Sequence, residues 1–268
     1  MKKLPKKVSI LTSLTLVILV SGCASAPEPP AYPSFVISDE LPDLFLATLP
    51  GVRAKEYAGD ARTRSVSNRI DLPESWTGTT GGAPGKALEI YVLAGELKLA
   101  DFSLTKGGYA YVPPGSFGFN MQTDEGARVL YFLNDHDADA VIGTPMLLDS
   151  NLVDWQPTDT VGVFSKELRL DPGSNERTWL MRYEPGAQIP WQSSSAMLEG
   201  YLISGQFQDS ECVPEGPYTG IYLPGGYFRR PADAVHGGPE ASALTESIWF
   251  LREHRKSSTN LDVGCAVE

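Results

Sequence analysis

Apolar residues in this chain recur in short runs separated by turn residues, and one of those runs occurs twice. Leu88-Glu89-Ile90-Tyr91-Val92-Leu93-Ala94-Gly95 is matched at an offset of 110 by Leu198-Glu199-Gly200-Tyr201-Leu202-Ile203-Ser204-Gly205. Gly107-Gly108-Tyr109 with Pro113 is matched at an offset of 118 by Gly225-Gly226-Tyr227 with Pro231, and Tyr131-Phe132-Leu133 by Trp249-Phe250-Leu251 at the same offset. Three blocks in one order predict two homologous domains of ordinary size. The second copy is eight residues longer between its blocks, around 209–218. Within each copy the runs have the length and the Tyr, Val and Leu content of strands: 89–97, 109–112, 128–133, 178–183, 201–207, 222–223 and 247–251. Residues 41–48 form the one short stretch with a helical pattern. The expected fold class is all-β, two small barrels or jelly rolls joined through 137–157, and 21 prolines and 26 glycines suit its many tight turns.

Charge changes the picture at one end. Lys2, Lys3, Lys6 and Lys7 precede the apolar run 8–20, which is too short to span a bilayer and ends at Ser21-Gly22-Cys23. This is a secretory signal, and Val20-Ser21-Gly22-Cys23 resembles the lipobox of bacterial lipoproteins, which implies acylation of Cys23. Ala24 after the Cys implies transfer to the outer membrane, with the protein on its periplasmic face. Residues 1–22 hold four positive charges and no negative ones, so the formal charge of −11 becomes −15 once they are removed. So acidic a chain excludes electrostatic binding of nucleic acid. Residues 23–35, rich in proline, read as a tether. Cys212, inside the longer segment of the second copy, and Cys265, in the polar tail 257–268, remain to pair or to stay as thiols; an oxidising compartment favours the bridge.

Pro185-Gly186-Ala187, then Pro190-Trp191-Gln192-Ser193-Ser194, Glu199 and Gly205, resemble the first cupin motif. Gly225, Pro231 and His236 resemble the second, with Asp233 where a glycine is usual. The mature chain resembles a bicupin related to the ChrR-like cupins, and this implies two tandem double-stranded β-helix barrels, 36–140 and 141–256. The family's metal set of three imidazoles and one carboxylate falls, residue by residue, on Gln192, Ser194, Glu199 and His236. Two of the four donor types remain, so Gln192, Glu199 and His236 are the candidate ligands of a divalent Fe, Mn, Zn or Ni ion in the second barrel. In the first copy those positions fall on Gly82, Pro84, Glu89 and Gly118, and Phe117, Phe119 and Met121 read as filling of a metal-free interior. His136 and His254, at equivalent strand ends, read as surface or turn residues.

Three functions stay open at this point. The resemblance and the lost imidazoles favour a degenerate bicupin that binds a small polar or carboxylated ligand, or a partner, in a pocket formed by Trp191, Tyr201, Arg229 and Trp249. A metal-dependent cupin enzyme of dioxygenase, isomerase or lyase type, with Glu199 also available as a general base, is the second. The third is a structural envelope lipoprotein, paired as a homodimer through sheet edges.

Overall fold

Two sheets built on one plan carry the chain. The computed structural model describes residues 32–33, 35–60, 62–80, 85–116, 118–135, 139, 141–254, 259–261 and 263–265. Cys23, the segment 1–22, most of the tether, and Gly82, Pro84, Phe117 and His136 lie outside the described residues. In the first sheet the strands run in the order Met146–Asp149, Gly108–Val112, Lys86–Leu99, Ala127–Asp135, Ser65–Leu72, Arg53–Asp60 and Leu44–Phe45. The second repeats that order with Val36–Ile37, Gly226–Arg230, Met197–Ser204, Ser247–His254, Arg177–Tyr183, Val163–Leu170 and Gln156–Pro157. All these neighbours are antiparallel. The two domains exchange edge strands: Val36–Ile37, at the start of the first-barrel segment, completes the sheet of the second, and Met146–Asp149, beyond 140, completes the sheet of the first. Strand pairing therefore crosses the 140/141 boundary in both directions.

The central strands are buried on both faces, which decides where each side chain goes. Along Lys86–Leu99, Leu88, Ile90 and Val92 enter the core of the first barrel, while Tyr91 and Leu93 enter a separate cluster between the barrels. Along Met197–Ser204, Leu198 and Leu202 fill the second barrel, while Tyr201 and Ile203 join the cluster between barrels. Alternation on a pleated strand forces this split. Bulges fall at equivalent places in the two repeats, between Glu56 and Ala58 and between Glu167 and Arg169, and each sends its extra residue, Tyr57 or Leu168, into the shared cluster. Stacked rings finish that contact, Phe132 on Phe250 at 5.6 Å and Tyr57 on Tyr227 at 4.3 Å.

The short helix expected over 41–48 does not form. Leu44–Phe45 instead pairs with the edge of Arg53–Asp60, because eight residues cannot offset helix nucleation without packing of their own, whereas an open sheet edge supplies hydrogen bonds at once. The longer segment of the second copy is a hairpin, Phe207–Val213 with Gly216–Tyr222. Cys212 in that hairpin is joined by a disulfide to Cys265, with 5.4 Å between the Cα atoms, and the tail strand Thr259–Asn260 lies against Ser193–Ser194.

Gly95, inside Lys86–Leu99, and Gly205, just after Met197–Ser204, hold equivalent places in the two copies with φ of 75° and 88°. A Cβ at Gly205 would lie 2.1 Å from the carbonyl oxygen of Glu246, and one at Gly95 2.2 Å from that of Gly126. Gly205→Ala is expected to lose about 1–2 kcal/mol from the left-handed backbone alone, and more from the clash with fixed main chain. Urea denaturation would measure it; a loss under about 0.5 kcal/mol would show that the turn relaxes freely.

Candidate functional site

The second barrel holds a half-open cavity of about 240 Å³. Rings of Trp179, Phe207, Phe228 and Trp249 form its walls, and Gln192, Ser194, Asp209, Arg230 and His236 supply its polar atoms. Each strand contributes one face: Phe207 and Asp209 on one, Phe228 and Arg230 on another, Leu198 on a third.

His236 and Gln192 are held together twice. Their backbones exchange two hydrogen bonds of 2.9 Å, and the side-chain amide nitrogen of Gln192 lies 3.3 Å from His236 Nε2. His236 Nδ1 lies 3.3 Å from the carbonyl oxygen of Ala234. An Nδ1–H donating to that carbonyl leaves Nε2 as the acceptor of the Gln192 N–H. Burial first, and the Arg230 charge second, push the His236 pKa well below the usual imidazole value, so the ring is neutral.

Beneath this pair lies a cluster of buried charge. Arg230 Nη2 donates to Asp209 Oδ2 at 2.6 Å, and Nε donates to Glu211 Oε1 at 2.8 Å. The guanidinium carbon also sits 3.7 Å over the Phe228 ring. Glu211 accepts a further hydrogen bond from the hydroxyl of Tyr32, at the end of the tether segment. Two carboxylates thus share one guanidinium. Burial raises the Asp209 pKa to about 6, with the Arg230 charge opposing and Glu211 reinforcing.

Of the residues expected in a pocket, Trp249 lines the cavity; Trp191, Tyr201 and Arg229 do not. Trp191, one step out of phase with inward-facing Gln192, lies across Gly238, where a Cβ would come within 2.3 Å of its ring. Tyr201 packs between the barrels, 6.0 Å from Tyr57. Arg229, alternate to Phe228 and Arg230, turns to the seam and sits 3.5 Å from Glu199.

Glu199 corrects the expected metal set. It faces the first barrel, and at its level the residue turned into the cavity is Leu198. Glu199 and its repeat equivalent Glu89 meet across the seam through one residue, Arg252. Its Nη1 donates to Glu199 at 2.8 Å and its Nη2 to Glu89 at 3.1 Å. Tyr109 and Thr178 donate to Glu89, while Tyr227 and Ser67 donate to Glu199 in the matching arrangement. His254, expected at the surface, also reaches Glu199, at 3.2 Å. Burial alone would raise both carboxyl pKa values. Arg252, Arg169 and Thr178 outweigh it and hold Glu89 down at about 2; His254, Arg252 and Tyr227 hold Glu199 well below the usual carboxylate range.

The residues present do not fit a cupin metal. One imidazole remains, and its free lone pair already receives Gln192. The carboxylate belongs to another face, and Asp209, a carboxylate that does line the cavity, is already bound to the Arg230 guanidinium. Among the described residues no group of three or more His, Cys, Asp or Glu side chains is gathered as metal ligands are. In the first barrel Met121 is fully buried and Phe119 packs on the same core, as filling residues should.

Asp209, Glu211, Arg230 and Arg252 carry buried charge beside Glu89 and Glu199, and none of these four was singled out by motif. The longer segment of the second copy pointed toward Asp209. Arg252 had a fainter signal: it stands where the first copy has Asn134, the place at which a repeated strand stops repeating.

Residues 144–256 match the family model of the ChrR cupin-like domain. The second barrel is therefore a ChrR-like cupin domain, and the whole chain has the cupin fold. A candidate dioxygenase from Nostoc punctiforme superposes with a TM-score of 0.66 at 19% identity, over 83% of this chain and 82% of that one. Protein YlbA of E. coli gives 0.66 at 16% identity, over 86% and 92%. The Bacillus subtilis oxalate decarboxylase, an enzyme with Mn(II) centres, gives 0.61 at 12% identity, over 88% and 81%. Likeness at such identities is likeness of fold. No curated protein matches the chain.

Proposed function

We propose that this protein binds a small polar molecule in the C-terminal barrel without metal chemistry, as a lipoprotein tethered through acylated Cys23 to the periplasmic face of the outer membrane. The observation that carries the first part is the cavity itself, where aromatic walls close over a neutral His236–Gln192 pair and a buried charge cluster. Its volume of about 240 Å³ lies just below the usual ligand-pocket range of about 300–1,000 Å³, which limits the ligand to a small molecule. The lipobox resemblance and the proline-rich tether support the anchor. Dimerisation through the sheet edges is compatible with this role and is not required by it.

The dioxygenase and oxalate decarboxylase among the fold neighbours support a metal enzyme only at the level of fold, and this donor set argues against one. A thermal-shift screen of the full chain in detergent tests the binding function, using benzamide, benzoate, choline and benzyltrimethylammonium as probes. A ligand at a hundredfold excess over its Kd adds about 2.7 kcal/mol, which for a chain of this size raises Tm by roughly 5–10 °C. Trp249→Leu should abolish that shift. If no probe moves Tm or quenches tryptophan fluorescence, the pocket is a packing void and the proposal falls.

A further inference from the structure

We propose that the ligand of this pocket is a small organic cation, an alkylammonium or aryl-alkylammonium, whose charged nitrogen sits against Asp209 within the aromatic walls. This rests on the reading that the second barrel binds a small molecule, and it replaces the carboxylated ligand that the sequence suggested.

Charge balance is the first argument. Asp209, Glu211 and Arg230 are each almost wholly buried, so two carboxylates face one guanidinium. His236, neutral in this setting, adds nothing. At the rim, Arg177 pairs with Glu167 at 3.7 Å, and Glu253 accepts from the Ser194 hydroxyl, so the rim offers no free positive charge to an anion. The interior therefore holds one negative charge more than it neutralises. A carboxylate ligand would add a third anion around an arginine already paired twice, while an ammonium would complete the balance.

The walls supply the second argument. Aromatic faces attract cations through their quadrupole, most strongly where water is excluded. This pocket already shows the interaction, with the Arg230 guanidinium carbon 3.7 Å over Phe228. Trp249 and Phe207 meet edge to face, 5.9 Å apart, and enclose the same space from another side.

The repeat supplies the third. On the repeat alignment Asp209 falls on Leu99 and Arg230 on Val112, and both of these are buried in the packed core of the first barrel. The buried ion pair is thus particular to the second copy, where the first has two apolar residues, while of the walls Phe228 stands for Ala110 and Trp249 for Tyr131.

The test compares a cation with its uncharged isostere on the full chain. Calorimetric titration should find choline or benzyltrimethylammonium binding at least tenfold more tightly than 3,3-dimethylbutan-1-ol, with benzoate weaker still. Asp209→Asn, which keeps the side-chain shape, should erase the preference for cation over isostere, with circular dichroism and the urea midpoint checking that it folds. Wild-type selectivity stands without the variant. Equal binding of the isostere, or tighter binding of benzoate, would overturn the cation assignment and leave the pocket reading intact. Binding by none of the probes would overturn both.

Discussion

Arg252→Ala is expected to destabilise the protein by about 3–5 kcal/mol, the cost of leaving buried charges without their partner. Arg252 is buried between the barrels and donates to both Glu199 and Glu89, and its guanidinium carbon lies 4.2 Å from the Phe132 ring centre. Without it the two glutamates retain hydroxyl donors from Tyr109, Thr178, Tyr227 and Ser67, but lose the cation they share. Arg229 and His254 remain beside Glu199, whereas Glu89 keeps only the more distant charge of Arg169, with no ion-pair contact. Urea denaturation of Arg252→Ala and of the triple variant Arg252→Ala, Glu89→Gln, Glu199→Gln separates charge from packing. Neutralising both carboxylates should restore more than half of the loss. A loss below about 1 kcal/mol in the single variant would mean that the seam is wet enough to solvate both carboxylates.

The repeat made the fold legible, because three blocks in one order can be seen without knowing any contact. Strand positions followed from turn residues and from Tyr, Val and Leu content. What could not be read was which face of a strand looks inward. In Leu88-Glu89-Ile90-Tyr91-Val92 and Leu198-Glu199-Gly200-Tyr201-Leu202 both faces are buried, one in a barrel and one against the other barrel. The apolar run is then nearly continuous, and the alternation that would set direction is lost. Glu199, Tyr201 and Arg229 were consequently assigned to the cavity when they belong to the seam. Gln192, His236 and Trp249 do reach the cavity, Gln192 and His236 because they sit in tight connections pinned by reciprocal backbone bonds. The edge-strand exchange was invisible for a different reason. Two-residue strands such as Val36–Ile37 carry no pattern and exist only because a partner edge awaits them.

Acid should unfold the protein through the same seam. Glu89 is held at about 2 and Glu199 well below the usual range, against about 4.5 for an exposed glutamate. A depressed folded-state pKa stabilises above the unfolded value and is lost as pH falls toward the folded one. The loss should therefore begin near pH 4.5 and continue to about pH 2. For Glu89 alone, a fall to about 2 from the ordinary glutamate value corresponds to about 3 kcal/mol. Asp209 acts with the opposite sign, since burial lifts its folded pKa to about 6, above that of an exposed aspartate. Its burial as an anion disfavours the native state above pH 6, and that penalty is relieved as pH falls from 6 to 4. Stability should thus hold or rise slightly from pH 7 to about 5 and then collapse below 4.5. Urea midpoints taken between pH 7 and 2.5 would trace the curve, and Glu89→Gln should flatten its acid limb by about 3 kcal/mol. A monotonic decline beginning at pH 6, or an acid limb unchanged in Glu89→Gln, would show that the carboxylates bridging the barrels are not what acid attacks first.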